Sequence, residues 1–376
     1  MNRKLVILTA IILITLIATS LFLTHNLLRS QTSSREFYVG VEYAHSDQVG
    51  ELKDLVDKVK NFTNLFVIGA LELTFNQTAL NEACDYIVNS GLHLIVLFTD
   101  STKYDYTIFG WMQDAQQKYG DKFLGVYRFD EPGGNQLDKG SSSLVENATS
   151  YADAAANFTE SLGIIVNYYL NYTPKMFTAD YGLYWFDYTA GYSTVFAEFV
   201  GNQSRQRIIA LDRGAAAAFN RDWGVIVNWK YDQSPYLESG DELYSDLSLA
   251  YSSGAKYAVV FSYPNITTYG TLTEQHFKAL QEFWNTMHNN PSSFGSSKPA
   301  VAYVVPMDYG FGFRNPSDGI WGLFPADALS AKIYNDVETL TERYGFHVDV
   351  LYDEPEITAP LLGNYSQVFY WNQTIT

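Results

Sequence analysis

Five acidic side chains stand at or near the ends of short apolar runs in this 376-residue chain: Glu42, the adjacent Asp130 and Glu131, Asp180 and Glu198. Carboxyl groups delivered from separate strands to one place can do acid–base and nucleophilic work. One, kept protonated, assists the departure of an alcohol oxygen; the other, ionised, attacks carbon or activates water, which is the pairing that opens glycosidic bonds. Repulsion among clustered carboxylates raises one pKa, and that is how a glutamic acid stays protonated near neutrality. Glu131 and Glu198 are the leading pair, Asp130 and Asp180 are further catalytic candidates, and Glu42 suits a contact to a substrate hydroxyl. Tyr43, Tyr181, Trp185, Trp229 and Tyr263 lie at or just past run ends, where rings can cover the apolar faces of sugars. Arg128, Asn228 and Lys230 hold similar positions and complete the candidate binding set. The bland alternatives are an ion pair of Glu131 with Arg128, a purely structural Glu198, and rings that only fill a core.

The elements that must position these groups recur eight times between residues 37 and 290, each a short apolar run followed by a helix-length segment. The expected strands are 37–44, 64–71, 92–100, 123–130, 175–181, 193–200, 224–231 and 256–263. Eight such units in about 250 residues is the rhythm of a (β/α)8 TIM barrel, whose active sites gather at the C-terminal ends of the strands. Continuous apolar runs suit parallel strands covered by helices; a doubly wound open sheet is the rival. Alternation along strands puts Gly40 with Glu42, Thr178 with Asp180, and Thr194 with Phe196 and Glu198. In the fourth strand Arg128 and Asp130 share one face and Glu131 takes the other. Segment 183–192 reads as a short aromatic connection, 143–170 as a long helical stretch. Arg213 followed by Gly214 and four alanines reads as a helix able to approach a sheet closely.

Around the barrel, 36–290, the sequence implies three more parts. Residues 5–23 are almost uninterruptedly apolar behind Arg3 and Lys4, long enough to span a bilayer, so 1–30 reads as an N-terminal transmembrane anchor with everything after it outside, or else as a cleaved signal of a secreted protein. Residues 291–299 form a linker, and 300–376 a small flavodoxin-like, three-layer α/β domain. Nine Asn-x-Ser/Thr acceptors, at Asn61, Asn76, Asn147, Asn157, Asn171, Asn202, Asn265, Asn364 and Asn372, fit an exported glycoprotein. The single cysteine, Cys84, rules out an internal disulfide. A net charge of −17 argues against nucleic acid as a partner. The dispersed histidines give no metal-site spacing, no phosphate loop occurs, and Gly310-Phe311-Gly312-Phe313-Arg314 lacks the third glycine of a dinucleotide loop, so no cofactor is expected.

Over 37–290 the chain resembles the glycoside hydrolase superfamily of (β/α)8 barrels, on Tyr127-Arg128-Phe129-Asp130-Glu131-Pro132 in the fourth strand and Phe196-Ala197-Glu198 in the sixth. The resemblance implies a glycan as substrate and a carboxylate acid on strand four. The most populous clan has Asn before that Glu and a nucleophilic Glu on strand seven. Here Asp130 replaces the Asn, and strand seven ends Asn228-Trp229-Lys230-Tyr231-Asp232 without a Glu. Pairing strands four and six is more similar to the α-galactosidase clan, which uses Asp at both places. The alternative is a catalytically silent cell-surface barrel that binds glycans or builds a structural layer.

Overall fold

Strands that are apolar on both faces need helices outside and a filled interior, and closure supplies both without leaving a free edge. The computed structural model describes residues 36–375. Its first eight strands are β1 (Tyr38–Tyr43), β2 (Leu65–Ile68), β3 (His93–Phe98), β4 (Phe123–Asp130), β5 (Met176–Asp180), β6 (Thr194–Phe199), β7 (Asp222–Val227) and β8 (Tyr257–Phe261). They are all parallel and close in sequential order, β8 pairing back onto β1, which excludes the open doubly wound sheet. Between and after them run α1 (Val49–Val59), α2 (Leu71–Thr74), α3 (Gln77–Asn89), α4 (Ile108–Tyr119), α5 (Pro132–Leu137), α6 (Tyr151–Tyr169), α7 (Tyr184–Ala190), α8 (Arg205–Ala218), α9 (Gly240–Ser253) and α10 (Glu274–Asn289). Two details differ from the sequence expectation. The stretch expected to be helical from 143 begins only at Tyr151, capped by the Ser150 side chain. The aromatic connection 183–192 is the helix α7, almost wholly buried.

The barrel interior is packed by inward side chains, among them Tyr38, Val67, Ile95, Tyr127, Phe177, Phe196, Ile226 and Tyr257. Phe177 and Phe196 stack at 5.7 Å, as do Tyr38 and Tyr257 at 5.1 Å. Gly40 belongs to this crowded layer: a Cβ there would lie 1.9 Å from the Leu65 carbonyl oxygen. The layer fixes the phase of every strand. Phe177 and Ala179 point inward, so Thr178 and Asp180, which share a phase as expected, point outward, and Asp180 does not join the catalytic carboxylates it was expected among.

After α10 come β9 (Val301–Val305), α11 (Ala328–Tyr344), β10 (Val348–Tyr352), α12 (Pro355–Leu362) and β11 (Gln367–Tyr370), with a parallel sheet in the order β10-β9-β11. This 2-1-3 order is the one that opens a flavodoxin-like sheet. From Tyr38 onward the chain forms one compact unit. Helix α8 explains the union, since it packs on β6 and β7 of the barrel and also on β10. Gly214 makes the approach possible, for a Cβ there would sit 2.4 Å from the Val350 carbonyl oxygen. Beside it the buried Arg213 pairs with buried Asp349 (Nε to Oδ1, 2.8 Å) and donates to the carbonyls of Ser297, Phe346 and Val348. The segment expected as a linker is docked too, with Phe294 against Tyr251 and Phe283. Among the described residues no helix is long and apolar enough to cross a membrane; the stretch 5–23, read as an anchor, and residues 31–35 lie outside the described residues.

Removing one partner of a buried ion pair leaves the other charge unsatisfied, at a cost of about 3–5 kcal/mol. Arg213→Ala is therefore expected to lower the unfolding free energy by about that amount in a denaturant titration, because Asp349 and three carbonyls lose their donor at once. An unchanged midpoint would mean that the second sheet holds to the barrel without this contact.

Candidate active site

Strand β4 does not end as a regular strand. Phe129 and Glu131 both adopt left-handed backbone angles (φ 59° and 54°), a conformation that costs non-glycine residues energy and persists only where the surroundings impose it. The pairing with β5 shifts register between Tyr127 and Asp130. The consequence is that Asp130 turns away from the side of Arg128, and both Asp130 and Glu131 open on the barrel mouth. Arg128 instead points outward, bonded to Asp100 with its guanidinium near the Tyr169 ring.

Asp180 is what holds this turn. It has no exposure, and its two carboxylate oxygens accept from the backbone N–H groups of Gly133 (2.5 Å), Gly134 (2.9 Å), Tyr181 (2.7 Å) and Gly182 (3.0 Å). Thr178 Oγ1 donates to the Phe129 carbonyl at 2.5 Å. Glycine is required after Pro132 by space: a Cβ on Gly133 would meet Leu183 and Asp180 below 3 Å, and one on Gly134 would enter the Tyr181 ring. Asp180 is thus placed behind the site, where it positions Glu131, and not among the groups that face a substrate.

A cavity of about 550 Å³ lies at the C-terminal ends of the strands, within the range that small-molecule sites occupy. Asp130, Glu131 and Glu198 line it, together with Asn228, Trp229, Tyr181 and Tyr263 from the expected binding set. Tyr43 donates to the Gln48 carbonyl and packs on Phe66 in the outer layer. Trp185 is buried on the far side of α7, its indole N–H on Glu354 at 2.7 Å and its ring against Tyr352. Lys230 turns to Glu242 and lines a neighbouring groove. Phe261, Val200, Gln203, Asp138 and Arg314 complete the cavity wall and were not singled out from sequence. Phe261 was legible, since it continues the inward phase of Tyr257 and Val259. Arg314 was not: it arrives from the loop between β9 and α11, clamped by Asp318 (2.6 and 2.9 Å) and paired with Asp138, which also accepts from the Tyr181 hydroxyl at 2.7 Å. The Gly310–Arg314 motif is therefore an arm that closes the barrel mouth.

At the centre the side chains of Glu131 and Glu198 hydrogen-bond to one another. Two carboxyl groups can do so only if they share a proton. Burial and Asp130 raise Glu131 to about 7. Glu198, 2% exposed, is driven higher by burial and then by Glu131, so it carries the proton and donates it to Glu131. The Asn228 amide donates to the other Glu198 oxygen at 3.1 Å. The Tyr127 hydroxyl donates to Asp130, which burial raises. Beneath, Glu42 is raised to about 8 by burial and then by Asp130, so it too is neutral at pH 7. Trp229 and Tyr263 stack at 6.0 Å with planes 12° apart, and Tyr263 stays 43% exposed, a ring platform open to the mouth. Among the described residues no cluster of His, Cys, Asp or Glu could hold a metal ion.

Carboxyls whose folded pKa lies above the unfolded value bind protons in the native state that the unfolded chain releases. Their contribution is fully present below about pH 4 and is lost as pH rises through the folded values. Those values are about 6 for Asp180, 7 for Glu131 and 8 for Glu42 and Glu238, with Asp187 and Asp212 raised further by complete burial. Each extra proton removes about 1.4 kcal/mol per pH unit across that window. Thermal melting should therefore give a higher Tm at pH 5 than at pH 7.5; a Tm that climbs toward neutrality would contradict the protonated state assigned to these groups.

No known protein family matches the sequence, and no curated protein matches it. Solved structures do match. GH5_18 from Bifidobacterium longum subsp. infantis superposes with a TM-score of 0.58 at 10% identity, over 90% of this chain and 97% of that one. GH5_18 from Streptomyces cattleya, solved in complex with Manb1-4GlcNAc, gives 0.56 at 12% identity, over 89% and 99%. A third GH5_18, from Bifidobacterium longum subsp. longum and also in complex with Manb1-4GlcNAc, gives 0.53 at 10%, over 90% and 97%. The shared portion exceeds the barrel alone. In fold, the chain resembles the (β/α)8 glycoside hydrolases over most of its length.

Proposed function

We propose that the protein is a glycoside hydrolase that cleaves with retention of anomeric configuration, and the observation that carries this is the proton-sharing contact of Glu131 and Glu198 in an aromatic-walled cavity at the barrel mouth. Carboxyl groups of inverting enzymes stand about 6.5–9.5 Å apart to admit a water, whereas retaining pairs stand about 5–5.5 Å apart. A direct contact falls on the retaining side. Glu198 protonates the glycosidic oxygen while the Glu131 carboxylate attacks the anomeric carbon; the carbon–oxygen bond breaks, the alcohol leaves, and a glycosyl ester on Glu131 remains. Glu198, now ionised, takes a proton from water as the water oxygen attacks the same carbon and Glu131 departs. Asp180 keeps Glu131 in its strained rotation, so the attacking carboxylate needs no rearrangement. Asp130 faces the same cavity as a contact for a ring hydroxyl, and Trp229 and Tyr263 cover an apolar sugar face. A glycan as ligand agrees with the Manb1-4GlcNAc held by two of the structural neighbours. Export of the protein to the cell surface, held by the 5–23 anchor, is part of the same proposal. It is supported by the exposure of all nine acceptor asparagines, as glycan attachment requires.

A panel of aryl glycosides tests the assignment. Glu131→Gln and Glu198→Gln should each lower kcat/KM on ordinary substrates by about 10²–10⁴-fold or more with the fold retained. The two variants should part on a dinitrophenyl glycoside, whose leaving group needs no proton: Glu198→Gln keeps a fast first step there and Glu131→Gln does not. Equal loss of both on that substrate would refute the roles. A wild type that binds glycans and cleaves none would establish the silent binding barrel instead.

A further inference from the structure

A surface helix is normally polar on its solvent side, and α6 departs from that pattern. Ile164 and Tyr168, one turn apart on its outer face, are 66% and 50% exposed. The other exposed large apolar side chains among the described residues, Tyr231, Tyr263, Ile266 and Met307, lie in loops that follow strands. No residue of α6 lines the cavity, so catalysis does not explain the pair.

Tyr168 is not a loose side chain. Its ring meets Phe109 edge-on at 4.9 Å and Tyr172 at 5.5 Å, and those two rings lie 4.9 Å apart. A ring held by two others and still half exposed is a preformed apolar surface, of the kind that packs on something.

A means of covering it stands three residues on. Asn171 opens the acceptor Asn171-Tyr172-Thr173, and its backbone continues the helical winding, the N–H donating to the Tyr168 carbonyl at 3.3 Å. The side-chain amide folds back the same way, Nδ2 donating to the carbonyls of Asn167 (3.0 Å) and Tyr168 (3.1 Å). A sugar on that nitrogen therefore starts beside Tyr168, and one amide hydrogen remains to keep a bond. None of the other eight acceptors follows an exposed ring by three residues. Thr173 is only 4% exposed in the folded chain, so attachment at Asn171 must precede folding.

We propose that Asn171 carries an N-linked glycan whose first sugar lays its apolar face on Tyr168 and closes the α6 patch. The proposal rests on the reading of the chain as exported. It gives the patch to the protein's own glycan and not to a partner.

The full chain, expressed in a eukaryotic cell line that N-glycosylates exported proteins and extracted in mild detergent, tests it. Peptide mapping should find Asn171 occupied. Asn171→Gln should lower the Tm by about 1–3 °C, whereas Asn364→Gln, whose acceptor follows Leu361 in place of a ring, should not move it. Trimming every glycan to its first sugar with an endoglycosidase should leave the wild-type Tm in place. In a Tyr168→Ala background, Asn171→Gln should cost nothing further; Tyr168→Gln serves if the alanine variant does not fold. A bare Asn171 beside occupied acceptors, an unchanged Tm in Asn171→Gln, a Tm that falls on trimming, or an equal loss in both backgrounds overturns the contact and leaves export standing. A chain without sugar at any acceptor overturns the export reading and the proposal with it. Dimers that Tyr168→Ala separates would assign the patch to a second copy of the chain and overturn the proposal as well.

Discussion

The proton between Glu131 and Glu198 is the constraint to which the rest of the molecule answers. Two carboxyl groups in contact repel if both are ionised, and desolvation makes that state costlier still. The pair therefore exists only as one acid and one base, which is the state a two-step displacement at carbon requires. Holding it demands walls that exclude water and a backbone that cannot let either group swing away. The barrel gives the first, with Phe196 stacked on Phe177 beneath Glu198. The Asp180 lattice gives the second, tying two pairs of N–H donors, Gly133 and Gly134 after β4 and Tyr181 and Gly182 after β5, around the turn that presents Glu131.

That lattice has its own dependence. Asp180 is fully buried, and the equally buried Asp187 beside it is held well above the usual carboxylate range by burial and then by Asp180, so a second acid–carboxylate pair lies behind the first. Helix α7 brings Asp187 there, and the same helix presents Trp185 and Phe186 to Tyr352 of β10. The C-terminal sheet is thereby mechanically continuous with the site. Its loop carries Arg314 to the cavity wall, while Arg213 and Gly214 let α8 serve both sheets. A module merely tethered by a linker could not place a guanidinium at the barrel mouth with this precision.

The barrel was legible because closure imposes one pattern eight times, and Gly40, Phe196 and Glu198 lie where alternation puts them. Where alternation misled, a specific physical cause can be named. Asp180 reads as a catalytic carboxylate at the rim, but Phe177 and Ala179 claim the interior and leave it to the outer layer. Asp130 was grouped with Arg128 because a sequence does not announce that Phe129 will take a left-handed rotation. Arg314 and Asp138 meet across 176 residues, and no local pattern encodes such a contact. Tyr43 and Trp185 illustrate the opposite error: aromatic residues at strand ends are as useful to the outer core as to a ligand.

In the proposed mechanism Glu131 forms a bond to the sugar while Glu198 handles the proton. A fluorinated glycoside that slows hydrolysis of the covalent intermediate, followed by peptic digestion and mass spectrometry, reads this out. The glycosyl mass should appear on the peptide containing Glu131 and on no other. A label on the peptide containing Glu198, or full turnover of substrate to the inverted anomer with no label anywhere, would contradict it.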